Sequence, residues 1–178
     1  MTTSEVHNLC RKYVIKDYTI NDGLVSVNGD VNLYNKQLTE IPIRFKEVTG
    51  HFDFGRNSLT SLKNCPETVG DGFYCGHNQL TSLEGCPEYV SGNFWCDYNQ
   101  ITSFDGLPEF FERTIGLYGN PVDEIYKLFN RDPRCIYWIR EFGVIQGDEV
   151  VRDRLEEVFH TLGMDIPKNI PLKEYILK

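Results

Sequence analysis

From residue 27 to residue 125, the apolar residues of this chain return every 21 positions. One column reads Leu38, Leu59, Leu80, Ile101, Val122, and a second reads Ile41, Leu62, Leu83, Phe104, Ile125. A third runs Val27, Val48, Val69, Val90, Phe111, and a fourth Val31, Phe52, Phe73, Phe94, Ile115. The fifth is Leu33, Phe54, Cys75, Cys96, Leu117. A repeat this short cannot bury its apolar face alone, so columns that keep step predict coils stacked as a solenoid.

Within a repeat the pattern changes from segment to segment. The run Val-x-Gly-x-Phe-x-Cys at 90–96 alternates apolar and polar residues and predicts a half-buried strand. Asn57, Asn78, Asn99 and Asn120 stand three residues after the last strand column. A carboxamide there can bond backbone groups of its own turn and of the next coil. The Leu-Thr-Ser-Leu segment turns back along the far side. Asn64-Cys65-Pro66, Gly85-Cys86-Pro87 and Gly106-Leu107-Pro108 mark the return corner. Strands stacked about 4.8 Å apart predict one parallel sheet, roughly 20 Å long over five coils. The end coils should be irregular. Lys36 fills the first ladder position, one place after Asn35, and Arg113 replaces the strand glycine of the last repeat.

The unit Asn-x-Leu-Thr-Ser-Leu-x-Gly-Cys-Pro-x-x-Val-x-Gly-x-Phe-x-Cys, followed nearly residue for residue by 78–98, resembles the leucine-rich-repeat superfamily. It is most similar to the phage-encoded leucine-rich-repeat proteins, and the flanks at 14–23, 120–129 and 144–167 resemble the same group. The resemblance implies a fold and a viral origin, and it brings no settled activity with it. The expected class is an α/β solenoid, a leucine-rich-repeat parallel sheet of about five coils with capped ends. Its expected parts are an N-terminal cap at 1–26, repeats at 27–120 and a helical C-terminal cap at 121–178, in one continuous domain.

The caps have their own signals. Residues 4–13 predict a short helix with Ser4 as N-cap and Val6, Leu9, Cys10 and Tyr13 on one side. Residues 14–34 predict a strand or hairpin turning at Asn21-Asp22-Gly23. Beyond the repeats, Pro121 and Pro133 open helices over about 121–130 and 133–142. Asp148 is expected to N-cap a further helix reaching Leu162, with Gly163 as its stop and the tail lying extended.

Charge and composition narrow the function classes. Lys and Arg number 18 against 26 Asp and Glu, a net charge of -8, which disfavours both a phosphate-tracking nucleic-acid binder and docking on an anionic membrane. Residues 1–120 hold 9 basic against 15 acidic residues, so most of the acidity sits on the repeats. An acidic surface speeds encounter with basic partners. No leader-like or membrane-length apolar segment is present, so a soluble, cytoplasmic protein is expected, in the host cell if phage-encoded.

Catalytic and cofactor chemistry finds no pattern. Cys65, Cys75, Cys86 and Cys96 only restate the repeat period, lack the close pairing of a zinc site, and are expected as core thiols. His51 and Asp53 share a strand face with no nucleophile beside them, and no phosphate-binding glycine motif occurs. No metal, cofactor or catalytic residue is therefore expected.

The outward strand positions are more informative. One column is Asn32, Asp53, Tyr74, Trp95, Gly116, flanked by Asp30, His51, Gly72, Asn93, Thr114 and by Tyr34, Gly55, Gly76, Asp97, Tyr118. Stacked rings at Tyr74 and Trp95 with small and acidic neighbours suit a binding hot spot. Such rings also suit ordinary cross-strand pairing. The candidate partner-binding residues are Tyr74, Trp95, Asp53, His51, Asn93, Asp97, Asn32 and Tyr118. The function expected is a non-catalytic module, a phage accessory protein binding a host or viral protein through a concave sheet, with inhibition of a host defence factor among the roles this would allow. The alternatives are a carbohydrate-binding module, with sugars stacked on the rings, and an effector fragment similar to repeat-bearing ubiquitin ligases. The latter needs a catalytic domain that the residues after Asn120 are too few to hold. Capped ends favour a monomer or small oligomer over an open assembly.

Overall fold

The computed structural model of the chain describes residues 1–108, 110, 111 and 113–178. In chain order it forms α1 (Thr3–Lys12), then β1 (Tyr18–Asn21), β2 (Leu24–Val27), β3 (Val31–Asn32), β4 (Phe45–Val48) and β5 (Phe52–Asp53). The coils continue through β6 (Thr68–Val69), β7 (Phe73–Tyr74), β8 (Tyr89–Val90), β9 (Phe94–Trp95), β10 (Phe110–Phe111) and β11 (Ile115–Gly116). The C-terminal end holds α2 (Asp123–Leu128), α3 (Arg134–Glu141), β12 (Ile145–Gln146), β13 (Glu149–Val150), α4 (Arg152–Thr161) and β14 (Ile176–Leu177).

Each coil contributes a strand to two sheets, where a single sheet was expected. One is six-stranded, β1-β2-β4-β6-β8-β10, and the other five-stranded, β11-β9-β7-β5-β3. The valine column lies in the first and the phenylalanine column in the second. The chain bends between them at 70–72 and 91–93. In the five-stranded sheet Val31, Phe52, Phe73, Phe94 and Ile115 pair in parallel register. Five strands joined by four 21-residue steps make a parallel-strand β-solenoid of about four turns. The expected count of five coils counted strands rather than closed turns.

The five columns form the core. Among the described side chains every member is buried, from Leu38 at 9% exposure to the many at 0%. Phe111, expected in the third column, pairs with Val90 through its backbone, and its side chain lies outside the described residues. Successive phenyl rings stack along the axis, Phe73 on Phe94 at 5.3 Å and 12° between planes. The Asn ladder forms as its spacing predicts. Asn99 Nδ2 donates to the Cys96 carbonyl of its own turn (3.1 Å) and to the Cys75 carbonyl one coil back (3.1 Å). Its Oδ1 accepts from the Leu80 N–H (3.0 Å), and Asn78 and Asn120 repeat the pattern. One side chain thus bonds three backbone groups of two adjacent coils, and neighbouring ladder asparagines share the two carbonyls.

Four local expectations change. Helix α1 is capped by Thr2, not Ser4. The Thr2 hydroxyl accepts from the Glu5 N–H, and the Glu5 carboxylate accepts from the Thr2 N–H. Only Thr2 has a glutamate three residues on to complete this box. Asp148 does not cap a helix; it sits in the tight turn joining β12 to β13, with Gly147 at φ +65°. Strand β14 of the tail pairs with β13, which commits that backbone to a ladder and delays α4 to Arg152. The C-terminal end is therefore three short helices beside a three-stranded sheet, where a helical cap and an extended tail were expected. Finally, Cys75 and Cys96, expected as thiols, are joined by a disulfide between adjacent coils, their Cα atoms 4.7 Å apart. In-register stacking itself supplies that separation, inside the range a disulfide spans.

The N-terminal hairpin follows its turn signal. Asp22 and Gly23 adopt φ +53° and +75°, the double left-handed turn that matches strand twist.

Candidate functional site

The outward column is built as its alternation predicts. Asn32, Asp53, Tyr74, Trp95 and Gly116 stand opposite one another across β3, β5, β7, β9 and β11. Tyr74 and Trp95 are in contact, with centroids 5.5 Å apart and planes tilted by 58°. Tyr74 leans toward the bend, where its hydroxyl occupies the space a Cβ on Gly72 would need. The glycine at 72 is thus a condition of that ring's pose.

A second row of rings flanks the first. It comes from residues immediately before the Asn ladder: Arg56, His77 and Tyr98, with Asn35 and Gly119 at the two ends. All five have positive φ, +53°, +56° and +54° for Arg56, His77 and Tyr98. Left-handed backbone is unfavourable for bulky side chains, and here it is repeated in every coil. His77 stacks on Tyr98 at 4.5 Å and 17°, and Tyr98 meets Tyr118 edge-on at 5.3 Å.

The two rows enclose an open cleft of about 400 Å³. Its walls are Tyr34, Tyr74, Trp95 and Tyr98, and its rim carries Arg56 and His77. Asp53 and Asp97 line it and are half-buried. Burial pushes both carboxyls above the usual carboxylate range. For Asp53 the Gly55 N–H (2.9 Å) and His51 pull partly back. For Asp97 the Tyr118 N–H (2.7 Å), His77 and Arg131 pull back while Asp123 adds to the rise.

Of the eight residues named from the sequence, Asp53, Tyr74, Trp95 and Asp97 converge on this cleft. The other four do not line it. His51 sits at the bend, its ring 5.6 Å from Tyr74. It faces Asp71 (Nε2–Oδ2 3.5 Å) rather than the Asp53 expected beside it. Asn93 Oδ1 accepts from the Thr114 N–H, and Asn32 Oδ1 from the Tyr34 N–H. Tyr118 borders a neighbouring cleft with Asp123 and Lys127, whose ammonium lies 5.6 Å from its ring. Sequence reasoning missed Arg56, His77 and Tyr98. Their common signal was visible: a large polar or aromatic residue directly before each ladder asparagine.

Among the described residues no group of three or more His, Cys, Asp or Glu is placed to hold a metal ion. No helix among them is long and apolar enough to cross a membrane. No protein-family model, curated protein or solved structure matches the chain.

Proposed function

We propose that the chain is a non-catalytic interaction module of the leucine-rich-repeat kind, a phage accessory protein that engages a host or viral protein in the host cytoplasm. The observation that carries this reading is the ring-lined cleft on the five-stranded sheet. Trp95 is 44% exposed and Tyr98 49%, large apolar surface that the core does not use. Such rings, rigid and amphipathic, are what binding hot spots are made of. The 21-residue unit and its Asn ladder support the repeat family; the resemblance of the flanks supports the phage origin.

The test compares the wild-type chain with a Tyr74→Ala/Trp95→Ala double variant as bait in host lysate, beside a glycan array. Protein capture by the wild type and its loss in a folded double variant is the expected result. Equal capture by both would sink the reading, and glycan binding without protein capture would replace it by the carbohydrate one.

A further inference from the structure

The cleft has a chemistry more specific than an apolar anchor. The fold uses one oxygen each of Asp53 and Asp97, and other coils meet the same need with asparagine. Asn32 Oδ1 accepts from the N–H two residues on, as Asp53 Oδ1 does. Asn93 Oδ1 accepts from the N–H one coil on, as Asp97 Oδ1 does. These turns need an acceptor and not a charge. The two negative charges are therefore surplus to the fold, and they are held where burial disfavours them. Among the described residues neither carboxylate has an ion-pair partner. The ring faces around them carry negative potential, so they attract a cation as well.

We infer that this cleft seats a cationic side chain, arginine or lysine, from a basic segment of the partner, held against Asp97, Trp95 and Tyr98. The inference rests on the interaction-module reading and names what the module binds. Space exists at that end because residue 116 is glycine. A Cβ there would lie 3.0 Å from both Asp97 Oδ1 and Trp95 Cδ1, on the spot where the cation would sit. Arg56, the cation of the lining, belongs to the turn after β5, two strands and about 10 Å away. Lys127 and Arg131 are held by Asp123, at 2.9 and 3.0 Å. Guanidinium fits best, since it can stack on a ring and fork onto a carboxylate together. Tyr74 and Trp95, their planes tilted by 58°, do not join into one flat platform for a chain of sugars.

A displayed library of random peptides, panned on the wild-type chain and depleted on Tyr74→Ala/Trp95→Ala, tests this. Recovered peptides should be rich in arginine or lysine, and raising the salt should weaken them. Replacing their anchoring arginine by neutral citrulline should weaken binding about tenfold, as losing one charged hydrogen bond does. Asp97→Asn, which keeps the acceptor for Tyr118, should cause a similar loss without lowering the melting temperature; Asp53→Asn serves as its companion. Peptides without basic enrichment, or arginine and citrulline forms that bind alike, overturn the cationic occupant and leave the interaction module standing. Recovery identical on wild type and double variant overturns both.

Discussion

The two sides of β5, β7 and β9 obey different rules. Inward, Phe52, Phe73 and Phe94 repeat one side chain at 0% exposure, because each ring must lie on the ring of the next coil. Outward, the same strands carry Asp53, Tyr74 and Trp95, three different chemistries in three consecutive coils. Stacking constrains only the inner side. The outer side is not held to one side chain by ring stacking, so consecutive coils carry different chemistry there, even where an outer carboxylate also bonds a turn. The two residues at the end of each coil's strand segment show the contrast at its sharpest. The ladder position is Asn in four successive coils, whereas the residue before it is Arg56, His77, Tyr98 and Gly119.

The largest effect should come from breaking the inner rule at a polar position. Asn99→Ala strands the Leu80 N–H and takes one of two amide donors from each of the Cys75 and Cys96 carbonyls, which keep Asn78 and Asn120. With one buried unpaired N–H costing about 1–3 kcal/mol and each of the two lost hydrogen bonds about 0.5–1.5 kcal/mol, urea unfolding should show a loss of about 3 kcal/mol or more. Lys36→Ala, at the ladder position without an asparagine, should change stability by less than about 0.5 kcal/mol. Equal effects at the two positions would mean that the ladder does not hold the coils.

The disulfide is the next step down. Cys75 and Cys96 stand in an inner column that Leu33, Phe54 and Leu117 fill elsewhere, so their bond adds a covalent tie to packing that is already complete. Unfolded without reductant, the chain should show four reactive thiols, from Cys10, Cys65, Cys86 and Cys135. Reduction should lower stability by about 3 kcal/mol, the scale for a closed loop of this length. Six reactive thiols, or unfolding indifferent to reductant, would remove this tie from the inner side.

What the sequence discloses follows the same division. The columns, the ladder and the Asp22-Gly23 turn are legible because each is fixed by contacts that recur every 21 residues or close within four. The bend between the two sheets is not, since alternation at 90–96 looks the same whether the strand continues or turns. The start of α4 is hidden for another reason: β14, far along the tail, decides it by pairing with β13. Half of the cleft was legible from alternation, through Asp53, Tyr74, Trp95 and Asp97. His77 and Tyr98 escaped because alternation says nothing of a left-handed residue, whose side chain leaves the strand's pleat.

That left-handed row separates backbone cost from side-chain use. Gly119 adopts φ +74°, and a Cβ on it would lie 2.8 Å from the Tyr98 ring. Gly119→Ala should therefore cost about 1–2 kcal/mol in thermal or urea unfolding. Arg56→Gly, in the same row, removes an exposed side chain from a strained backbone and should be neutral or slightly stabilising. A clear loss at Arg56→Gly would show that its side chain supports the fold.

The smallest effect is also the most diagnostic of what the outer side is for. Burial raises the folded pKa of Asp97 above its unfolded value near 3.8, so the folded chain holds this proton more tightly. The stabilisation from that proton is complete below the unfolded value and is lost as pH rises through the raised one. At neutral pH the ionised carboxylate therefore weighs slightly against the fold. Asp97→Asn keeps the acceptor for the Tyr118 N–H and removes the charge. It should raise stability at pH 7 by less than about 1 kcal/mol, the scale of a half-exposed charge, with the gain vanishing on acidification to about pH 3, below the unfolded value. Paired melting curves at the two pH values measure it. A variant less stable at pH 7 would mean that the charge serves the fold. A more stable variant that binds basic peptides more weakly would mean that the chain keeps Asp97 against its own stability, for a cation that comes from outside.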